Sequence, residues 1–142
     1  MPEAEPSRRP KPARPLRLLV ADDDRDAVLT LSTVLQDEGH QVLEVYRGDA
    51  VVQLVRRYRP DAVLLDIGMP GLTGFEIARQ LRDELGRECP MLIAITAWAQ
   101  SSARELGRMV GFTHYLVKPF STDELLALLE PLAASGDPSG RK

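Results

Sequence analysis

The run DAVLLD, Asp61–Asp66, decides the fold. Pro60 bounds it on one side and a loop, Ile67–Thr73, holding Gly68, Pro70 and Gly71 on the other. Its interior is apolar without alternation, which suits a central parallel strand covered on both faces. Such a strand needs partners of its own kind and helices to cover it. LRLLVA (Leu16–Ala21), QVLEVY (Gln41–Tyr46), MLIAIT (Met91–Thr96) and HYLVK (His114–Lys118) supply the partners. Between them the apolar period lengthens to that of a helix. Ala27, Val28, Leu31, Val34 and Leu35 share one face, and Gly39 stops that helix. Ala50–Tyr58 reads as a short helix ended ahead of Pro60, and Phe75–Leu85 as one with Ile77, Leu81 and Leu85 in line. Ser102 and Glu105 read as an S-x-x-E capping box for a helix closing at Gly111. Ser121 and Glu124 read as a second box, ahead of Leu125, Leu126, Leu128 and Leu129, and Pro131 is expected to end or kink that helix. Strands and helices alternating five times predict an α/β fold with a parallel sheet and right-handed crossovers.

The 142 residues amount to one domain, large enough to bury a core without disulfides. Lys and Arg number 18 against 21 Asp and Glu, a net charge of −3 that argues against a dedicated nucleic-acid binder. The single Cys89 excludes an intrachain disulfide and zinc-finger spacing, and the two histidines, His40 and His114, lie far apart. No apolar run approaches the roughly 18–20 residues of a membrane span, and the first residues lack the apolar stretch of a signal peptide. A reducing, cytoplasmic location is expected. Residues 1–15 hold five of the eleven prolines and read as a disordered Pro/Arg-rich arm. Residues 16–134 form the body, and residues 135–142 a flexible tail.

In a parallel sheet, ligands sit beyond the carboxyl ends of the strands. Here the first strand ends in Asp22, Asp23 and Asp24, the third in Asp66, the fourth in Thr96 and the fifth in Lys118 followed by Pro119. Carboxylates at adjacent strand ends repel one another, a cost a protein bears when a cation fills the gap. Oxygen donors without His or Cys point to a hard metal, Mg2+ first. The charges of Asp22, Asp23 and Asp66 are matched by such a metal together with the Lys118 ammonium. The hydroxyl and the ammonium opposite suggest a second, anionic guest, and a phosphoryl group arriving on a carboxylate is met by both cations. The acidic DDDRD loop replaces the glycine-rich turn of a nucleotide site, and G-x-G-x-x-G, Walker A and G-x-S-x-G patterns are all absent. Gly68, two residues after Asp66, also breaks the D-x-D of a haloacid-dehalogenase-type phosphotransferase.

Together, LLVADDD, PDAVLLDIGMPGLTGFE, AITAWA and GFTHYLVKPF resemble the receiver domain of two-component response regulators, over roughly Leu16–Leu132. The resemblance implies a flavodoxin-like, doubly wound sheet of five parallel strands in the order 2-1-3-4-5. It implies that Asp66 is the phosphoacceptor, a carboxylate nucleophile ionised at neutral pH. Asp23 is implied as a direct Mg2+ ligand with Asp22 helping, partly through water, and Gly68 as a ligand through its backbone carbonyl. Thr96 and Lys118 are implied to hold phosphoryl oxygens, with Lys118 paired to Asp66 beforehand and the Lys118–Pro119 bond cis. Tyr115 matches the aromatic that reorients when the threonine moves, so Thr96 and Tyr115 form the switch. Gly68 and Trp98 are candidates for control of the phosphoryl lifetime. The implied output surface is the helix after Thr96, the fifth strand and the last helix.

The expected partners are a sensor histidine kinase or a histidine phosphotransfer protein upstream and a protein partner or homodimer downstream, with neither nucleic acid nor membrane. The expected role is a signalling switch, not an enzyme in its own right. No second domain follows the last helix in this sequence, so a single-domain regulator, shuttle or sink is expected. The alternatives are a non-phosphorylated scaffold on the same fold, which would call for loss of a site residue, and a metal-dependent phosphatase, which would need a substrate cap. Asp24 reads better as a helix N-cap than as a ligand. Cys89 reads as core filler, Met69 and Phe75 as packing, and His114 as surface.

Overall fold

The computed structural model describes residues 14–69 and 72–134. The strands are β1 (Arg17–Ala21), β2 (Gln41–Val45), β3 (Ala62–Asp66), β4 (Met91–Thr96) and β5 (His114–Val117). They form one sheet in the order β2-β1-β3-β4-β5, with every neighbouring pair parallel. The helices are α1 (Arg25–Asp37), α2 (Val51–Tyr58), α3 (Gly74–Leu85), α4 (Ser101–Val110) and α5 (Thr122–Ala134).

Side chains alternate across a strand, so each inner strand must feed two cores. Leu19, Ala21, Val63, Leu65, Leu92 and Ala94 point to the layer of α2, α3 and α4. Leu18, Val20, Ala62, Leu64, Ile93 and Ile95 point to the layer of α1 and α5. This is the physical reason the strands read as unbroken apolar runs. Cys89 and Met69 are buried in the first core and Phe75 packs against it, as expected.

Helix starts follow local hydrogen bonding. Asp24 caps α1 by accepting from the amides of Asp26 and Ala27. The Ser121–Glu124 box is present at α5: the Glu124 amide donates to Ser121 Oγ at 3.0 Å, and the Ser121 amide to Glu124 Oε1 at 3.4 Å. The Ser102–Glu105 box does not form. Helix α4 begins two residues earlier than that box requires, at Ser101, behind Gln100, whose side chain makes no capping bond. Ser102 is therefore already inside the first turn, and Glu105 pairs with Arg108 instead. A box not expected from the sequence caps α3, between Thr73 and Glu76. Pro131 does not end α5, which runs on to Ala134. Both Pro131 and Ala127, whose carbonyl the proline leaves without a donor, are exposed, so water can serve that carbonyl.

The amino ends of the strands are tied by a separate set of bonds. Asp61 accepts from the Arg17 amide at 2.9 Å and from both terminal guanidinium nitrogens of Arg14. The Leu16 amide donates to Nδ1 of buried His40 at 3.0 Å. The Arg14 amide donates to the Ala133 carbonyl at 3.2 Å. The proposed arm and tail lie outside the described residues, apart from Arg14 and Pro15. Among the described residues no helix is long and apolar enough to cross a membrane.

Candidate functional site

The sheet order reverses between β1 and β3: the connection out of β1 runs to β2 on one side, and the connection out of β3 runs to β4 on the other. A crevice opens at the carboxyl ends there. Asp22 directly follows β1, and Asp66 closes β3 in register with Ile95 of β4. Thr96 lies one step beyond, in register with Val117, and the Lys118 amide donates to the Thr96 carbonyl at 2.8 Å. Backbone pairing alone thus brings Asp22, Asp66, Thr96 and Lys118 to one edge.

Asp22 is buried, and both its oxygens are engaged. Oδ1 accepts from the Asp24 amide at 3.0 Å, and Oδ2 from the Lys118 ammonium at 3.0 Å. Lys118 stands 3.9 Å from Asp66 Oδ2. Lys118 thus pairs with Asp66, as the sequence implied, and more closely with Asp22, a partner the sequence did not show. One ammonium serves two carboxylates, and it gives its hydrogen bond to Asp22, although β1 lies one strand farther from β5 than β3 does. Burial works against the charge on Lys118, but the Asp22 bond and the charges of Asp66, Asp22 and Asp24 together raise its pKa above the ordinary lysine value. The Lys118–Pro119 bond is cis.

Asp66 Oδ1 accepts from the Gly68 amide at 3.0 Å. Burial pushes the Asp66 pKa up to about 6; the Gly68 amide opposes this, Asp22 adds to it through charge and hydrogen bonding, and Lys118 offsets part. The ordinary carboxylate expected from the sequence is thus a perturbed one, still mostly ionised at neutral pH. Exposed Asp23 completes a triad: Asp22, Asp23 and Asp66 each offer an oxygen within 4.8 Å of the others. Hard oxygen donors alone, around a carboxylate whose charge is already disfavoured, suit a divalent cation.

Thr96 is buried, and its Oγ1 accepts from the Trp98 amide at 3.1 Å. The Tyr115 hydroxyl donates to the Trp98 carbonyl at 2.9 Å. The Trp98 indole edge stands beside Gly68: a Cβ at Gly68 would stand 3.7 Å from Trp98 Cζ2. It also meets the Phe75 ring, with centroids 6.3 Å apart. Trp98 therefore sits at the mouth of the site, as the sequence allowed. Sequence reasoning missed its backbone, which joins Thr96 to Tyr115. It also missed Gly107 in α4, whose one signal was a glycine inside a helical pattern.

A half-buried carboxylate, an ammonium, a buried hydroxyl and an acidic triad thus meet at one edge of a doubly wound sheet. The sequence profile described as the response regulator receiver domain matches residues 18–130, and the chain belongs to that family, part of two-component signal transduction. It is 36% identical over 118 residues to protein PilH of Pseudomonas aeruginosa, covering 83% of this chain and 98% of that protein. It is 42% identical over 118 residues to response regulator MprA of Mycolicibacterium vanbaalenii, covering 83% of this chain and 50% of that protein. The chain thus spans about half the length of the MprA relatives and nearly all of PilH. The high-resolution structure of chemotaxis response regulator CheY4 of Vibrio cholerae superposes with a TM-score of 0.75 at 29% identity, covering 81% of this chain and 96% of that one.

Proposed function

We propose that this chain is a phosphorylation-activated switch in which Asp66 accepts a phosphoryl group from a phosphohistidine of a sensor kinase or phosphotransfer protein. The observation that carries this reading is the placing of Asp66. It is a half-buried carboxylate beside the Asp22–Lys118 pair, at the reversal of strand order. An Asp66 oxygen attacks phosphorus, and the bond from phosphorus to the donor's imidazole nitrogen breaks with its electron pair leaving on that nitrogen. Lys118 stands close enough to pair with a phosphoryl oxygen once one is present. Thr96 can turn its hydroxyl from the Trp98 amide to another. Asp22, Asp23, Asp66 and the Gly68 carbonyl would hold Mg2+, which when bound supplies positive charge against the transferred group.

The Lys118 ammonium would then answer to two anions, Asp22 and the phosphoryl group. Thr96 would carry the change to Trp98 and Tyr115, and so to the face of α4, β5 and α5. That face would meet a protein partner or a second copy. Turnover of other substrates is not part of the role. The test is intact mass after treatment with a small-molecule phosphodonor and Mg2+. One phosphoryl group is expected on the wild type and none on Asp66→Asn; equal labelling of both removes Asp66 from the role.

A further inference from the structure

Tyr115 leaves β5 toward α4, and its ring lies against Gly107. A Cβ placed on Gly107 would stand 3.2 Å from Tyr115 Cδ1, 3.3 Å from Cε1 and 3.6 Å from Phe112 Cδ2. The first two are tighter than ordinary contact, so any larger residue requires the ring to yield. The ring has little freedom to do so without loss. Its hydroxyl is bonded to the Trp98 carbonyl, and the Arg104 guanidinium lies over it, 5.2 Å from the centroid. Glycine in a helix interior is unfavourable relative to alanine, so its presence in α4 asks for a packing reason.

Trp98 shows what the seat controls. Its amide donates to Thr96 Oγ1 and its carbonyl accepts from Tyr115, so one residue's backbone holds both arms of the switch. Its indole edge stands beside the exposed Gly68. A ring that leaves the seat frees the carbonyl arm of Trp98.

We infer that Gly107 is a positioning residue of the switch: its missing Cβ opens the seat in which Tyr115 bonds the Trp98 carbonyl, and so sets the balance between seated and unseated ring. The inference rests on the preceding reading of Asp66, Thr96 and Tyr115. Gly107 touches no reacting atom and acts through Tyr115. If the seated ring favours the phosphoryl-bound form, lowering the seated fraction weakens apparent affinity for a phosphoryl mimic in proportion.

Trp98 is the only tryptophan, so its fluorescence reports this loop alone. Tyr115→Phe removes only the hydroxyl and should shift Trp98 emission in the wild-type background. In Gly107→Val the same substitution should produce less than half that shift, because the displaced ring takes the hydroxyl off the carbonyl; in Gly107→Ala, where the ring need give only slightly, the reduction should be smaller. Trifluoroberyllate with Mg2+, a stand-in for the phosphoryl group, should bind Gly107→Val about tenfold more weakly, with Tyr115→Phe adding little to that loss.

Alanine is the better helix former, so Gly107→Ala is expected to fold, and far-ultraviolet dichroism checks both variants. A full-sized Tyr115→Phe shift in the Gly107→Ala and Gly107→Val backgrounds overturns the inference and leaves Gly107 as a small residue only. The emission cycle is read on unmodified protein. Failure of Asp66 to label by mass would therefore sink the functional reading while the seat itself is still judged.

Discussion

The two ends of the sheet handle charge in opposite ways. At the amino ends of the strands, Asp61 is matched by Arg14 and by the Arg17 amide, and His40 accepts from Leu16. At the carboxyl ends, Asp22, Asp23 and Asp66 crowd together, one ammonium serves Asp22 and Asp66, and Asp66 is held well above its ordinary pKa. The first pole pairs its charges, with Arg14 Nε alone left without a partner among the described residues, and serves stability. The second is left short of positive charge, which disfavours the metal-free fold and suits the acidic triad to a cation. The same residue type, aspartate, therefore has opposite effects at the two poles.

Removing an aspartate from each pole gives the largest expected contrast. Asp61→Ala strands a mostly buried guanidinium and an amide, and should destabilise by about 3 kcal/mol in chemical denaturation. Asp66→Asn relieves crowding, and should stabilise the metal-free protein by about 2 kcal/mol above neutral pH. Saturating Mg2+ should stabilise the wild type by about 2–3 kcal/mol at a hundredfold over Kd and shrink the Asp66→Asn advantage. If both substitutions destabilise alike, the poles do not differ.

Acid titration sharpens the contrast, because the two poles have opposite slopes. The folded protein keeps a proton on Asp66 up to about pH 6, while an ordinary aspartate loses it near 3.8. The native state then binds more protons across that window, and this contribution to metal-free stability falls as pH rises through it. His40 runs the other way. Burial lowers its pKa, against the raising effect of Glu38 and Asp61, so the unfolded chain is protonated first and stability falls as pH drops below about 6.5. Asp66→Asn should flatten the first slope, and His40→Asn, which keeps an acceptor near Nδ1, should flatten the second by about 1 kcal/mol. Melting curves from pH 4 to 8 on the two variants would separate them. Parallel curves would contradict the opposition.

The smallest effect expected concerns whether the crowded pole is shielded as well as charged. Trp98→Ala removes the indole edge beside Gly68 and should speed loss of the phosphoryl group by about threefold, less than 1 kcal/mol of barrier. An unchanged decay rate takes the indole out of lifetime control.

The poles also differ in how far the sequence disclosed them. The site residues were legible because each ends an apolar strand, and strand ends of a parallel sheet converge whatever the details. The pairing among them was not, since Lys118 reaching Asp22 before Asp66 depends on side-chain reach across β1, β3 and β5. At the amino pole, Asp61 reads as the first residue of a strand and His40 as an isolated histidine, and nothing local shows their partners. The helix boxes teach the same lesson. Ser121–Glu124 and Ser102–Glu105 share one pattern, yet only the first opens a helix, because the pattern does not say where the backbone enters the first turn. Glycine followed suit: Gly39 and Gly111 stop helices as read, while Gly107 serves a ring eight residues further along the chain.

One feature of the quiet pole reaches beyond chemistry. Because the Arg14 amide bonds the Ala133 carbonyl, the first and last described stretches of the body meet at a single backbone hydrogen bond. The described fold is topologically almost a ring. A short bridge from Ala134 back to Arg14 could close it, and a cut at the exposed turn around Gly86 could reopen it, giving a circular permutant with its new ends away from Asp66. For the same reason, a polypeptide joined directly at Arg14 or Ala134 would leave from the pole opposite the carboxylate crevice. A reporter fused there would leave Asp22, Asp66 and Lys118 unobstructed.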